Sequence, residues 1–373
     1  MLSKFHLSRY RFKLSPFEKL HLQASHQGVT LRGAFGYAFK NLCCHDFQAA
    51  CKDCLQQNRC PYSLIFEPVV PPDAQRLRCN TDIPRPFIIK PPINFKSDYN
   101  PGEYLGFDLV IIGDINKYLP YFIACIDALA DKGMGTDRSR FRLESVSAVN
   151  GNEAVEIYSS RDTLVRNINL PVTFKQLADG STGFQPVNLI GSTGISPVNH
   201  GLEACATGVD VAVCPHAVDA DVSVCPHAET NKGQDSADKP AHQQITIRFH
   251  TPTILKADGR IIRQPEFHHI IKRLRDRINS LAYFYCGETL EIDYKALGDA
   301  AETIRLAAGR FQWHEVSRYS TKRQIWHELS GFTGYGVYSG DLRPFLPLLA
   351  LGEYVHVGKG AAFGNGWLEI TKG

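Results

Sequence analysis

Between residues 178 and 243 the chain repeats itself in units of eleven. GSTGFQPVNLI (180–190) is followed by GSTGISPVNHG (191–201), and DVAVCPHAVDA (210–220) by DVSVCPHAET (221–230). A period of eleven suits a right-handed helical supercoil, but Pro, Gly and Ser fill these units and break helices. The stretch reads as a tandemly duplicated, flexible insertion. Its two Cys-Pro-His triplets, Cys214 with His216 and Cys225 with His227, read as duplication without function, because a floppy linker supplies no preformed metal geometry. A core has to be built from the flanks, residues 1–160 and 244–373.

The two flanks carry the same order of elements. In the first, FHLSRYRFKL alternates as a strand, and residues 28–42 follow as a helix buried through Leu31, Ala34, Phe35, Ala38, Phe39 and Leu42. Strand-like runs come at 62–70, 87–90 and 107–113, then a helix over 117–132 that ends at Gly133, and a strand over 141–149. In the second flank a strand is predicted at 245–250, and a helix at 265–285 buried through Phe267, Ile270, Ile271, Leu274, Ile278 and Leu281. A second helix is expected over 293–308 with Asp293 as its N-cap, then a Gly and aromatic strand at 331–338, a helix at 341–351 and a last strand over 363–370. Strand, helix, strands, helix, strand is the split βαβ pattern, so the expected class is α+β with two ferredoxin-like domains in tandem.

With 373 residues, 43% apolar and 21% charged, the chain has the composition of a soluble globular protein with room for two cores. MLSKFHLSRYRFKL carries Lys4, Arg9, Arg11 and Lys13 and lacks the apolar run of a signal peptide, and nothing elsewhere approaches a membrane span. A cytoplasmic protein is the expectation. The net charge of +3 hides an uneven distribution: the insertion holds eight acids and two bases, leaving 39 bases against 30 acids elsewhere. Lys4, Arg9, Arg11, Lys13, Lys19, Arg32 and Lys40 face only Glu18 within the first 42 residues. Such an excess attracts polyanions, and is equally compatible with a solvated basic face.

LGEYVHVGKGAAFGNGWLEI, residues 351–370, gathers glycines around one lysine. Gly358 and Lys359 resemble the end of a phosphate-binding P-loop, but that motif requires a Gly where Glu353 stands and a Ser or Thr where Gly360 stands. A P-loop also opens a long helix, whereas a strand is expected here. An alternative is that Gly358, Gly360, Gly364 and Gly366 drop their Cβ atoms so that an RNA backbone reaches main-chain N–H donors, with Lys359 adding charge; another is that they serve only turns.

These elements resemble the CRISPR-associated endoribonucleases that cut precursor CRISPR RNA, of the repeat-associated mysterious protein superfamily. The resemblance rests on VTLRGAFGYAFKNLCC (29–44), CPYSLIFEP (60–68), RPFIIKPP (85–92), RYSTKRQ (318–324), and Gly358-Lys-Gly360 with Gly364-Asn-Gly366. It implies two ferredoxin-like folds with the glycine loop (358–366) near the RNA cleft. On that basis Arg32, Arg318, Tyr319, Lys322 and Arg323 are expected to touch RNA, the cations at phosphates and the ring by stacking. The implied partners are CRISPR repeat RNA and other CRISPR-associated proteins of an effector or adaptation complex. The implied reaction needs no catalytic metal: a ribose 2′-hydroxyl attacks the adjacent phosphate, leaving a 2′,3′-cyclic phosphate and a 5′-hydroxyl. It calls for a general base, a general acid and a cation at the phosphate, and histidine suits the proton transfers. The family's catalytic groups cluster at the first helix, which points to Tyr37 with His26 or His45, and Lys40 or Lys19 as the cation; His6, His21, His314 and His356 stay in consideration. A non-catalytic subunit that only binds CRISPR RNA is the alternative reading.

Eleven cysteines, an odd number, fit thiols better than a disulfide framework. Cys51 and Cys54 form a C-x2-C knuckle, Cys60 lies six residues on, and Cys43 and Cys44 precede it. In this Cys-rich loop (43–60), Cys44, Cys51, Cys54 and Cys60 are expected to bind a structural zinc, with an iron–sulfur cluster as the other metal that fits.

Overall fold

The computed structural model describes residues 2–24, 27–47, 49–71, 82–94, 96–181, 243–320 and 325–372; the repeats of the insertion lie outside them. The N-terminal module runs β1 (His6–Pro16), α1 (Gln27–Cys43), β2 (Phe87–Lys90), β3 (Leu105–Ile112), α2 (Leu119–Lys132) and β4 (Phe141–Asn150). Its strands pair antiparallel in the order β2-β3-β1-β4, and Glu153–Ser159 extends the sheet beyond β4. The C-terminal module repeats the plan with β5 (Gln243–Thr253), α3 (Phe267–Tyr285), β6 (Arg305–His314), β7 (Gly331–Gly340), α4 (Leu346–Val355) and β8 (Leu368–Lys372), in the order β6-β7-β5-β8. Both modules are ferredoxin-like.

Alternation along β1 sends its residues to two different cores. Tyr10, Phe12 and Leu14 join Phe87, Ile89, Phe107 and Leu109 beneath α1 and α2. There Phe35 of α1 stacks on Phe122 of α2 with ring centroids 5.0 Å apart, and Phe39 meets the same ring edge-on at 5.4 Å. Leu7, on the opposite face with Ile88, Val110 and Ile112, belongs to a cluster shared with Ile270, Ile271 and Leu274 of α3 and Leu351 of α4. The two modules are therefore fused through a common apolar core.

A polar seam borders that core. The Lys90 ammonium, buried at the end of β2, donates to the Glu353 backbone carbonyl at 3.0 Å and lies 4.2 Å from the centre of the Trp367 ring. The Glu353 carboxylate accepts the Ile370 N–H at 2.8 Å. Burial favours the neutral form of each group, pushing Lys90 down to about 8 and Glu353 up to about 7.

Several elements differ from the sequence expectation. The run at 62–70 is not a strand: Pro61–Phe66 is a short helix with proline in its first turn, burying Tyr62, Ile65 and Phe66 at helical spacing. The helix after Asp293 spans Tyr294–Glu302, and residues 305–314 form the edge strand β6 instead of its continuation. The last strand begins at Leu368, since Ala361–Phe363 is a 3-10 turn. Leu42, expected inside, is 50% exposed at the end of α1. A helix at Phe174–Ser181 runs past residue 178, and its Leu177 and Ala178 pack on the shared core. Among the described residues no helix is long and apolar enough to cross a membrane.

Candidate nucleic-acid interface

The glycine loop and the first helix meet at one corner. A Cβ on Gly28, in the first turn of α1, would stand 2.1 Å from the Phe363 carbonyl oxygen, so the helix start lies directly on the loop. Val29 joins Phe363 and two residues of the C-terminal module, Val316 and Leu329, in a small apolar cluster. Val316 and Leu329 are the base of a hairpin, Ser317–Ser320 paired with Ile325–Glu328. Arg32, one turn further along α1, lies over the Phe363 ring at 4.8 Å and the Phe66 ring at 5.4 Å.

The loop's glycines serve the protein's own main chain. Gly364 has φ +83°, and a Cβ there would come 2.5 Å from the Ile89 carbonyl oxygen of β2. At Gly366, with φ +71°, it would fall 1.8 Å from the Val357 carbonyl oxygen. Both are buried, which corrects the expectation that all four glycines face an RNA strand. Gly358 and Gly360 are half-buried, as are Ala362 and Phe363, and Lys359 is exposed at the tip with its N–H on the Ile254 carbonyl at 3.2 Å.

Tyr37 is 64% exposed on α1 and free to meet a ligand. Lys40, one turn later, is engaged elsewhere: its ammonium donates to the Phe47 carbonyl at 3.1 Å and sits over the Phe47 ring at 5.1 Å. At 1.5 Å per residue, Tyr37 lies about 14 Å along the helix from Gly28, and His45 is exposed past the helix end. His26 falls outside the described residues, immediately before Gln27, the first residue of α1. Lys322 and Arg323 also lie outside them, and at Arg318 and Tyr319 the backbone alone is described.

The remaining histidines have distinct surroundings. His21 Nδ1 is 2.7 Å from the Asp98 carboxylate, which the Lys19 ammonium also approaches at 3.2 Å; the His21 hydrogen bond and then Lys19 hold Asp98 below the usual carboxylate range. His6 Nδ1 donates to the Lys4 carbonyl at 2.8 Å, and His314 Nε2 is 2.7 Å from the Thr333 hydroxyl. His356 is fully buried and stacked on Trp367, with Nδ1–H donating to the Asn365 carbonyl at 3.1 Å. Burial pushes its pKa well below the ordinary value, so it stays neutral and braces the loop instead of relaying protons.

The expected zinc quartet is not assembled. Among the described residues no group of three or more His, Cys, Asp or Glu is placed to hold a metal. The compressed spacing explains why: Cys51 is buried against the N-terminal core, Cys60 caps the helix Pro61–Phe66, and the Cys44 thiol turns away to the Asp46 carbonyl at 3.1 Å. Cys43, not Cys44, packs with Cys60 on that core, and burial with these two thiols nearby raises its pKa to about 11. What sequence reasoning missed is the contact set of Gly28, Val29 and Phe363; the only sign was a glycine in the first turn of a helix, where glycine is otherwise unfavourable.

Comparison with known proteins adds the following. Residues 247–368 match the family model of the CRISPR-associated endoribonuclease Cas6, and residues 5–170 match one described as an N-terminal domain. A Cas6 product complex superposes with a TM-score of 0.50 at 15% identity, covering 98% of this chain and all of that one. A partial Cas6-RT-Cas1–Cas2 complex superposes with 0.53 at 13% identity, over 99% of this chain and 46% of that one. At such identities the likeness is one of fold. A search of curated proteins returned no match.

Proposed function

We infer that this chain is a CRISPR-associated RNA-processing protein of the Cas6 kind, and we propose that it cuts precursor CRISPR RNA within the repeats. The observation that carries this reading is the corner where α1, the glycine loop and the base of the paired strands Ser317–Ser320 and Ile325–Glu328 meet, because it joins an exposed lysine, an arginine and the helix bearing Tyr37 across both modules.

The reaction is a transesterification. A base takes the proton of the 2′-hydroxyl, the 2′-oxygen bonds to phosphorus, the P–O5′ bond breaks, and an acid protonates the departing 5′-oxygen. A cation stabilises the charge that builds on the phosphate. Tyr37 with His26 or His45 is proposed for the two proton transfers, and Lys359 for the cation in preference to Lys40, which the Phe47 carbonyl holds, and to Lys19, which Asp98 holds. His21, oriented by Asp98, is an alternative carrier. Precursor CRISPR RNA is the proposed substrate, and other Cas proteins are proposed partners, as in the Cas6-RT-Cas1–Cas2 neighbour.

The test is incubation with a repeat RNA in EDTA. Cleavage to a cyclic phosphate, abolished by one 2′-deoxy substitution at the cut site, is expected. Replacing His26 or Tyr37 with Ala should slow single-turnover cleavage by about 100-fold or more with binding retained. The second reading is a subunit that binds without cutting. Tight binding with no cut in the same assay would select it.

A further inference from the structure

The C-terminal sheet buries one face and leaves the other open. Phe249, Phe332 and Tyr338 point under α3 and α4 and are buried. On the opposite face the register aligns four side chains straight across the sheet: Arg310 of β6 pairs with Tyr335 of β7, Tyr335 with Arg248 of β5, and Arg248 with Glu369 of β8. Tyr335 is 37% exposed, unusual for a tyrosine in an inner strand, and the Arg248 guanidinium lies 5.7 Å from its ring centre. Among the described residues neither Arg248 nor Arg310 has a carboxylate within ion-pair distance, and the one acid in the row is occupied, Glu369 being 2.6 Å from His250 Nε2.

We propose that this face holds a single-stranded segment of RNA, with an unpaired base stacked on Tyr335 and phosphates at Arg248 and Arg310; this rests on the RNA-processing reading above. The chemistry selects the ligand. An exposed ring flanked by two guanidiniums that make no direct ion pair, one strand away on each side at about 4.8 Å per strand, offers a π-face and two anion contacts together, although the Arg248 charge also acts on Glu369, whose pKa it helps to lower. Duplex RNA hides its base faces, and an acidic peptide would use the arginines without needing the ring. The row is also separate from the corner at α1: Arg248 stands four residues before Pro252, whose carbonyl accepts the Gly366 N–H, about 13 Å along β5.

The experiment measures binding of the full chain to a fluorescent repeat RNA and to an oligouridylate of equal length, by anisotropy at two salt concentrations. Tyr335→Ala should weaken oligouridylate binding by about 5- to 150-fold, and Tyr335→Phe should retain it. Arg248→Gln and Arg310→Gln should each lower the salt slope by about 0.7. At subsaturating protein, cleavage of the repeat RNA should slow in Tyr335→Ala, Arg248→Gln and Arg310→Gln in proportion to the binding each loses. A Tyr335→Ala protein that melts like wild type and binds oligouridylate equally well overturns the proposal, as does a Phe variant as weak as Ala. So does a face that takes polyglutamate but no oligouridylate. A wild-type protein that binds oligouridylate through Tyr335 yet never cuts the repeat would instead refute the nuclease reading and leave this one standing.

Discussion

At Glu353 a carboxyl group is held where ionisation is unfavourable, and the direction of its shift fixes how stability follows pH. Its folded pKa is raised from 4.5 to about 7, so its contribution to stability is complete below the unfolded value and is lost as pH rises through the folded one. Glu353→Gln keeps an acceptor for the Ile370 N–H without that loss. Thermal melts of the two proteins should diverge between pH 5 and 8, the variant gaining on the order of 1–3 kcal/mol relative to wild type; parallel curves would contradict the assignment. Gly28 gives a second test. Alanine there improves helix propensity by about 1 kcal/mol, yet its Cβ would collide with the Phe363 carbonyl. Overpacking of about 1–3 kcal/mol should prevail, so Gly28→Ala should lower the melting temperature and loosen the loop. In the sequence Gly364 and Gly366 were legible as positions for a bare backbone. Nothing in the sequence could say that the space would be filled by Ile89 and Val357, because those neighbours belong to the tertiary fold.

Elements were read well where burial is one-sided. β1, α1 and α3 each carry apolar residues at a single clear period, and each appears where its pattern placed it. The exceptions have local causes. CPYSLIF holds apolar residues that satisfy both periods over a short window, and Pro61 in the first turn decides for a helix. In β6 the edge position leaves Ala307, Ala308, Gly309 and Arg310 exposed, so no alternation marks the strand and the alanines read as helix. The cap at Asp293 was legible, and it accepts from the Lys295 and Ala296 N–H groups at 2.9 Å. Asp293→Ala should cost about 1 kcal/mol in a denaturant titration, while Asp293→Ser should cost only a fraction of that.

On the scale of the whole chain, the βαββαβ order of both halves could be inferred because each strand and helix has its own pattern. The fusion of the halves could not, since Leu7, Ile88, Val110 and Ile112 carry no mark distinguishing them from an ordinary sheet interior. Removing residues 183–240 behind a short linker should leave repeat cleavage at its wild-type rate; a large loss would give the insertion a role. The common core has a practical consequence for a protease that nicks the chain within 183–240. Neither piece can hide its apolar surface alone, so the severed halves should stay associated through gel filtration, and halves co-produced from two messages should complement each other into a working particle, whereas either made singly should aggregate.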